Sequence, residues 1–380
     1  MLRVSRGEIL FCVGWLFFSI SVIFGLTEVV EVHEEWQFFL KLIRYIGYAL
    51  CSMKILDDSI EKKSIYWIIL LFVVLFVSCI SSTNKTMLLY SIILVAAKNI
   101  DEKKIMKMSL AIQGMSLFLV VIFSQLGISR DYLFVRNEGQ YRHALGFSWT
   151  TTAPILYFFF LLIYFYLKKN KANLMIIFLL AIINVWFYIM TNSRMAFAAS
   201  SIFILFMIAQ KMNPNRWKWM GRLNKLYKIL PEIICAISLV MFKLYDESIH
   251  SWFRLNSILS DRLRLGANAI EQYGFSLFGK PIEWIGFSIK KPTMEEAIGY
   301  NYVDSSYLQL GLNYGLIFLC VVLLIYSIIM NRAIKRKDYY LVSIITIILL
   351  FSITEPRLMN LAFNPFPLLA FCKLEKVKQI

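Results

Sequence analysis

The sequence predicts an all-α polytopic integral membrane protein with one large extracytoplasmic loop. Three observations carry this. Hydrophobic residues fill 59% of the 380 positions, and mean hydropathy is +0.65, above the range of soluble chains. Apolar runs such as 65–80, 155–167, 176–190 and 316–330, with their interfacial flanks, are long enough to cross a hydrocarbon core about 30 Å thick.

Taken in order, the first run (9–26) follows Arg3 and Arg6 and looks like a signal peptide. No small-residue cleavage site follows it and 27–35 is acidic, so the run reads as a retained first helix. Hydropathy suggests about twelve spans, centred near residues 18, 45, 72, 91, 117, 159, 182, 202, 237, 322, 346 and 366. The spans at 36–53, which carries Lys41 and Arg44, and at 86–97, which is short, are the weakest. A polar stretch of about seventy residues, 245–313, interrupts the series. The chain thus divides into a first set of spans (1–244), the large loop (245–313), and the last spans with a tail (314–380).

Orientation comes from the basic residues. Segments 54–63, 98–107, 168–171, 211–228, 332–337 and 373–378 fall on one side with Arg3 and Arg6. That side holds about twenty-five Lys and Arg against about twelve opposite, which makes it cytoplasmic, with both termini inside and the large loop outside. The formal charge of +16 is then a topology signal and not a nucleic-acid footprint. The 211–228 segment reads as a basic interfacial stretch anchored by Trp217 and Trp219.

Other chemistries have little to build on. The six cysteines lie in or beside spans, so neither a disulfide framework nor zinc spacing is expected. His33, His143 and His250 sit in three separate outer loops without ligand spacing, so no metal is expected. There is no Gly-rich phosphate loop, and Asp57-Asp58 reads as a solvated loop.

Two outer regions are more than turns: 127–147 and the large loop. In the loop, Ile249, Trp252 and Phe253 share one helical face, and Leu263, Ile270 and Tyr273 another. Ser260-Asp261 is the expected N-cap between two short helices lying along the membrane surface. Gly279, Pro281, Gly286 and Pro292 then mark irregular chain up to a helix near Ser305.

Arginine is over-supplied outside, where few cations are expected: Arg136, Arg142, Arg194, Arg254, Arg262, Arg264 and Arg357. Guanidinium binds phosphate oxygens through a planar fork that lysine lacks. Arg194 reads equally as a snorkelling interfacial residue, and Arg357 as an ion-pair partner of Glu355. Arg262 and Arg264 are two apart, so only one can face a site. Asp304 is the candidate general base, with an ordinary N-cap role as its alternative. His143 is a candidate acid or base, with an exposed loop histidine as its alternative. Tyr307, Leu308, Leu312 and Gly315 have the spacing of helix packing.

These segments together resemble a family. They are Arg142-His143-Ala144-Leu145-Gly146-Phe147, Asn192-Ser193-Arg194, Ser260-Asp261-Arg262-Leu263 with Leu277-Phe278-Gly279, Asp304-Ser305-Ser306-Tyr307-Leu308, and Glu355 with Asn364-Pro365. In order and sidedness, over roughly residues 90–370, the chain is similar to the Wzy-type polysaccharide repeat-unit polymerases, especially those of Gram-positive capsule and exopolysaccharide clusters. The resemblance implies a GT-C-like helical architecture in the bacterial cytoplasmic membrane. It also implies glycosyl transfer from undecaprenyl-diphosphate-linked oligosaccharide without metal or other cofactor, beside a flippase and a chain-length regulator of the same pathway. On that resemblance Asp304 and His143 are the catalytic candidates, and Arg136, Arg142, Arg194, Arg262, Tyr307, Glu355 and Arg357 are the substrate-binding ones. The related O-antigen ligases usually carry His-Asn where this chain has Asp304-Ser305, which favours polymerase over ligase. A lipid-linked oligosaccharide flippase is the rival from another class. It would be expected to show internal repeats and a midplane site, whereas here the halves show no repeat and the polar residues cluster outside.

Overall fold

The computed structural model describes residues 5–58, 62–135, 140–212, 221–289 and 299–373. Its helices are α1 (Arg6–Phe24), α2 (Glu28–Val32), α3 (Glu34–Asp57), α4 (Lys62–Ser82), α5 (Thr86–Ala96) and α6 (Glu102–Gln125). After a hairpin of β1 (Leu133–Val135) and β2 (Tyr141–His143) come α7 (Thr152–Lys168), α8 (Leu174–Thr191), α9 (Arg194–Met212), α10 (Asn224–Lys228) and α11 (Leu230–Lys243). The large loop carries α12 (His250–Ile258), α13 (Arg262–Tyr273) and α14 (Ser306–Gln309), and the chain closes with α15 (Leu316–Lys335) and α16 (Tyr339–Phe351).

Local chemistry starts the helices. Asp101, Asn173 and Asp338 accept the N–H groups of Lys104, Met175 and Leu341 at 3.0, 3.0 and 3.3 Å, which satisfies donors that an open first turn leaves unpaired. Among the described residues, six helices are long and apolar enough to cross a membrane: α1, α6, α7, α8, α9 and α15. Large apolar side chains stay exposed along outward faces, such as Phe178, Leu179 and Ile182 on α8 and Ile69, Val73 and Phe76 on α4. Such a surface is stable against lipid and not against water. The protein is a multi-pass α-helical membrane protein.

Helices stand at eleven of the expected span positions; the one centred near 366 is different. Residues 352–373 are buried irregular chain with a single 3-10 turn, Phe366–Ala370. Pro365 and Pro367 lack the N–H groups a helix needs there. Neighbouring side chains satisfy the freed carbonyls. Gln113 Nε2 donates to the oxygens of Ala362 and Phe363, both at 2.8 Å. Tyr326 Oη and Asn364 Nδ2 donate to Leu358 O at 2.9 and 2.7 Å, and Arg332 Nη1 to Leu369 O at 2.9 Å. Non-helical backbone inside such a bundle is tolerable only when partnered in this way.

The segment runs back alongside α15 to that helix's last turn, where Arg332 holds it. There Lys373 N–H donates to Ile100 O at 2.8 Å. The same end collects the basic connections. Buried Glu102 accepts from Arg336 at 2.6 and 2.8 Å and from Tyr166 Oη at 2.9 Å, and Lys169 pairs with Asp338 at 2.6 Å. The hairpin, the large loop and Glu355 lie at the opposite end.

Candidate functional site

The site is built on the start of α13. Asp261 occupies the N-cap position with φ +62° and makes no side-chain cap bond. The cap comes instead from buried Asn256 on α12, whose Oδ1 accepts from the N–H groups of Leu263 and Arg264, each at 3.1 Å. Asn256 Nδ2 donates back to Asp261 Oδ1 at 2.9 Å. The expected Ser260-Asp261 cap is therefore corrected: the turn is left-handed at both residues, which aims the Asp261 carboxylate away from the first N–H groups.

This fixes Arg262, the first residue of α13. Its Nη2 lies 2.9 Å from Asp304 Oδ2 and its Nη1 donates to Leu259 O at 3.2 Å. Of the two arginines, Arg262 is the one that meets Asp304, while Arg264 lies toward Tyr245. Gly266, one turn on, sits where any Cβ would collide with Phe242, at 2.3 Å, so α13 packs directly onto α11.

Each residue after Asp304 has a separate task. Ser305 is the N-cap of α14, accepting from Leu308 N–H at 3.5 Å, so Asp304 is not the cap and its carboxylate is available. Ser306 Oγ donates to Glu355 O at 2.5 Å and accepts from Leu358 N–H at 3.0 Å. Tyr307 is fully buried and its hydroxyl donates to Leu349 O at 2.8 Å. That places Tyr307 in the packing between α14 and α16, away from any surface a sugar could reach.

The Ser306 clamp brings Glu355 and Arg357 beside the Arg262–Asp304 pair. Arg357 Nη1 meets Glu355 Oε1 at 2.5 Å and its guanidinium covers the Phe363 ring at 5.1 Å. The Asp304 side chain is 32% exposed and that of Glu355 only 8%, so Asp304 is the carboxylate that a substrate can touch. Burial raises the Glu355 pKa above the ordinary carboxyl range; Arg357 opposes this and Asp304 adds to it. Burial also raises the phenols of Tyr300 and Tyr302, the latter to about 12, with Asp304 adding to both. Both stay protonated and remain donors at neutral pH.

A second group lies on the hairpin. His143 Nδ1 is 2.6 Å from Asp131 Oδ2, and Asp131 Oδ1 accepts from Leu145 N–H at 2.7 Å. Arg142 Nε donates to Thr191 O at 2.8 Å and Asn192 Nδ2 to Gln140 Oε1 at 3.2 Å, which seats the hairpin on the α8–α9 turn. Arg194, two residues past that turn, opens α9 as an exposed side chain. Arg136 lies outside the described residues.

An aromatic line joins the two groups. Phe134 packs edge-on against Trp149 at 4.6 Å, Trp149 stacks on Phe287 at 5.5 Å, and Phe287 meets Tyr300 at 4.7 Å. The sequence reading missed Asp131, Trp149, Phe287 and Tyr300. Only an aromatic-rich composition hinted at the last three, and nothing local marks Asp131. The whole arrangement offers an accessible carboxylate steered by one arginine, a second carboxylate–arginine pair beneath it, and half-buried rings alongside. It suits proton abstraction from a hydroxyl held near an anionic group. No family model, curated protein or solved structure matches the chain.

Proposed function

We propose that the chain polymerises lipid-linked oligosaccharide repeat units at the outer face of the bacterial cytoplasmic membrane. The observation that carries the reading is Asp304, one-third exposed and held by Arg262 at 2.9 Å, at the bundle end opposite the basic connections. By the positive-inside rule that end is extracytoplasmic. On this reading the chain crosses by eleven helices and one irregular return that begins after Arg357, within a GT-C-like architecture.

In this mechanism Asp304 takes the proton of an acceptor hydroxyl as its oxygen bonds to the donor's anomeric carbon. The bond from that carbon to the undecaprenyl diphosphate oxygen breaks, and the diphosphate leaves with the electron pair. Arginines stabilise the negative charge that develops there. Arg262 steers the base, Arg357 holds Glu355, and Arg194 with Arg142 serves the diphosphate. The line from Trp149 to Tyr300 offers the saccharide flat faces and phenol donors. Half-buried rings of this kind combine apolar area with a polar tip.

Analysis of lipid-linked glycans from a strain lacking the chain tests the reading. Loss of a polymerase leaves single repeat units exposed on the outer face. Inward-facing units would indicate a flippase, and long unattached chains a ligase; either result contradicts the proposal.

A further inference from the structure

A cavity of about 360 Å³ opens between α1, α3 and α5, within the size range of small-ligand sites, about 300–1,000 Å³. Lys41 and Arg44 on α3 and Lys85 at the foot of α5 line it together with Gln37, Tyr45 and Thr86, and no carboxylate is among the lining residues. Arg44 is anchored by Nε to Ser21 Oγ at 3.3 Å and by Nη2 to Ser21 O at 3.1 Å. Lys85 Nζ stands 5.5 Å from the Tyr45 ring centre. None of the three cations makes an ion pair among the described residues.

Three cations converging without a counter-charge cost stability through mutual repulsion, and Lys41 and Arg44 are also three apart on one helix. A snorkelling lysine would relieve this by turning away into water. An anion between them relieves it better, and a phosphate, with more charge and more acceptor oxygens than a carboxylate, can engage guanidinium and ammonium groups at once.

The surroundings say where the phosphate comes from. Phe38, Phe39, Leu42 and Ile46 of α3 are exposed on the flank of the same helix, so an apolar chain can lie there while its head group enters the cavity. The cavity is at the hairpin end of the bundle: Gly25 lines it, and the adjoining Leu26 O accepts from Ser148 N–H at 2.8 Å.

We infer that this cavity is a binding site for the phosphate or diphosphate head group of a membrane lipid, held by Lys41, Arg44 and Lys85. The site stands apart from Asp304, and its test counts lipids per protein, so a lipid held at Arg142 and Arg194 on the polymerase reading persists in every variant while the one held by Lys41, Arg44 and Lys85 is lost. It therefore holds or fails independently of the polymerase reading.

The test uses the purified full-length protein in phosphatidylcholine nanodiscs containing a long-chain polyprenyl diphosphate, with retained lipid measured by native mass spectrometry. The pair Lys41→Gln with Lys85→Gln should weaken retention at least about tenfold, the scale of one lost charged hydrogen bond. Lys41→Arg with Lys85→Arg keeps both charges and should retain the lipid. Lys41 and Lys85 are exposed, so lipid-free thermal unfolding of the Gln pair should match wild type. Should that pair unfold, Lys41→Gln alone, whose exposed side chain makes no hydrogen bond or ion pair among the described residues, decides between the outcomes. Equal retention by wild type and the Gln variants would overturn the site. Inorganic pyrophosphate binding as tightly as the lipid would overturn its assignment to a lipid.

Discussion

Ser306 and Glu355 are 49 residues apart in sequence and joined by a hydrogen bond of 2.5 Å from the serine Oγ to the glutamate carbonyl. Because the same hydroxyl accepts from Leu358 N–H, one side chain ties the end of the large loop to the segment carrying Glu355 and Arg357. Ser306→Ala would leave a buried N–H and a buried carbonyl without that partner, at a cost of about 1–3 kcal/mol. We predict a lower unfolding temperature and loss of activity in proportion to the displaced Glu355. Thermal melts of the purified variant check the first part. An unchanged melt would show that the clamp contributes nothing.

The loop's return is built on two glycines in contact. A Cβ at Gly279 (φ +90°) would fall 2.0 Å from Asn313 O, and one at Gly315 (φ +95°) 2.4 Å from Leu277 O. Both clashes are with backbone, which cannot swing aside, and both positions disfavour L side chains. Alanine at either should cost more than about 3 kcal/mol and sharply lower the amount of folded protein in the membrane. Wild-type abundance of both variants would contradict the described return.

Glu355 makes stability depend on pH in a definite direction. Its folded pKa is raised, by burial first, so above the ordinary carboxyl range the folded chain holds a proton that the unfolded chain has released. The contribution is complete below that range and is lost as pH rises through the raised value. Glu355→Gln should flatten the fall in unfolding temperature as pH rises above the ordinary carboxyl range. Parallel curves for wild type and variant would refute the shift.

Much of this was legible beforehand, for reasons the elements make plain. Apolar runs located eleven helices because length and hydropathy suffice in lipid. Gly279 marked irregular chain, and its φ of +90° agrees; Gly315, expected to pack within a helix, instead breaks the chain at φ +95° just before α15, where close backbone approach demands glycine. The run near 366 misled: its apolarity says buried, while Pro365 and Pro367, visible in the sequence, say not helical. The Arg262–Asp304 pair was not readable, since nothing local sets which of Arg262 and Arg264 turns inward; that depends on Asn256 capping from a neighbouring helix. Lys41 and Arg44 read as flaws in a weak span until α5 brought Lys85 to them.

Arg194 and Arg142 separate charge from scaffold. Arg194 is exposed, so Arg194→Lys should leave stability unchanged but lower polymer yield by losing the planar fork. Arg142→Lys also loses the bond to Thr191 O and should cost about 1 kcal/mol as well. Normal polymer from both variants would remove them from the site.

The most direct measurement is chain extension by the purified, reconstituted protein on labelled lipid-linked repeat units, wild type against Asp304→Asn. Asn keeps the size, and Ser305, not Asp304, caps α14. The Asn amide oxygen can still accept from Arg262, 2.9 Å from the carboxylate it replaces, so the variant should be folded and present at normal abundance. Wild type should build a ladder of products, while the variant extends about 10²–10⁴ times more slowly and leaves single units. A ladder of wild-type length and rate from Asp304→Asn would contradict the account.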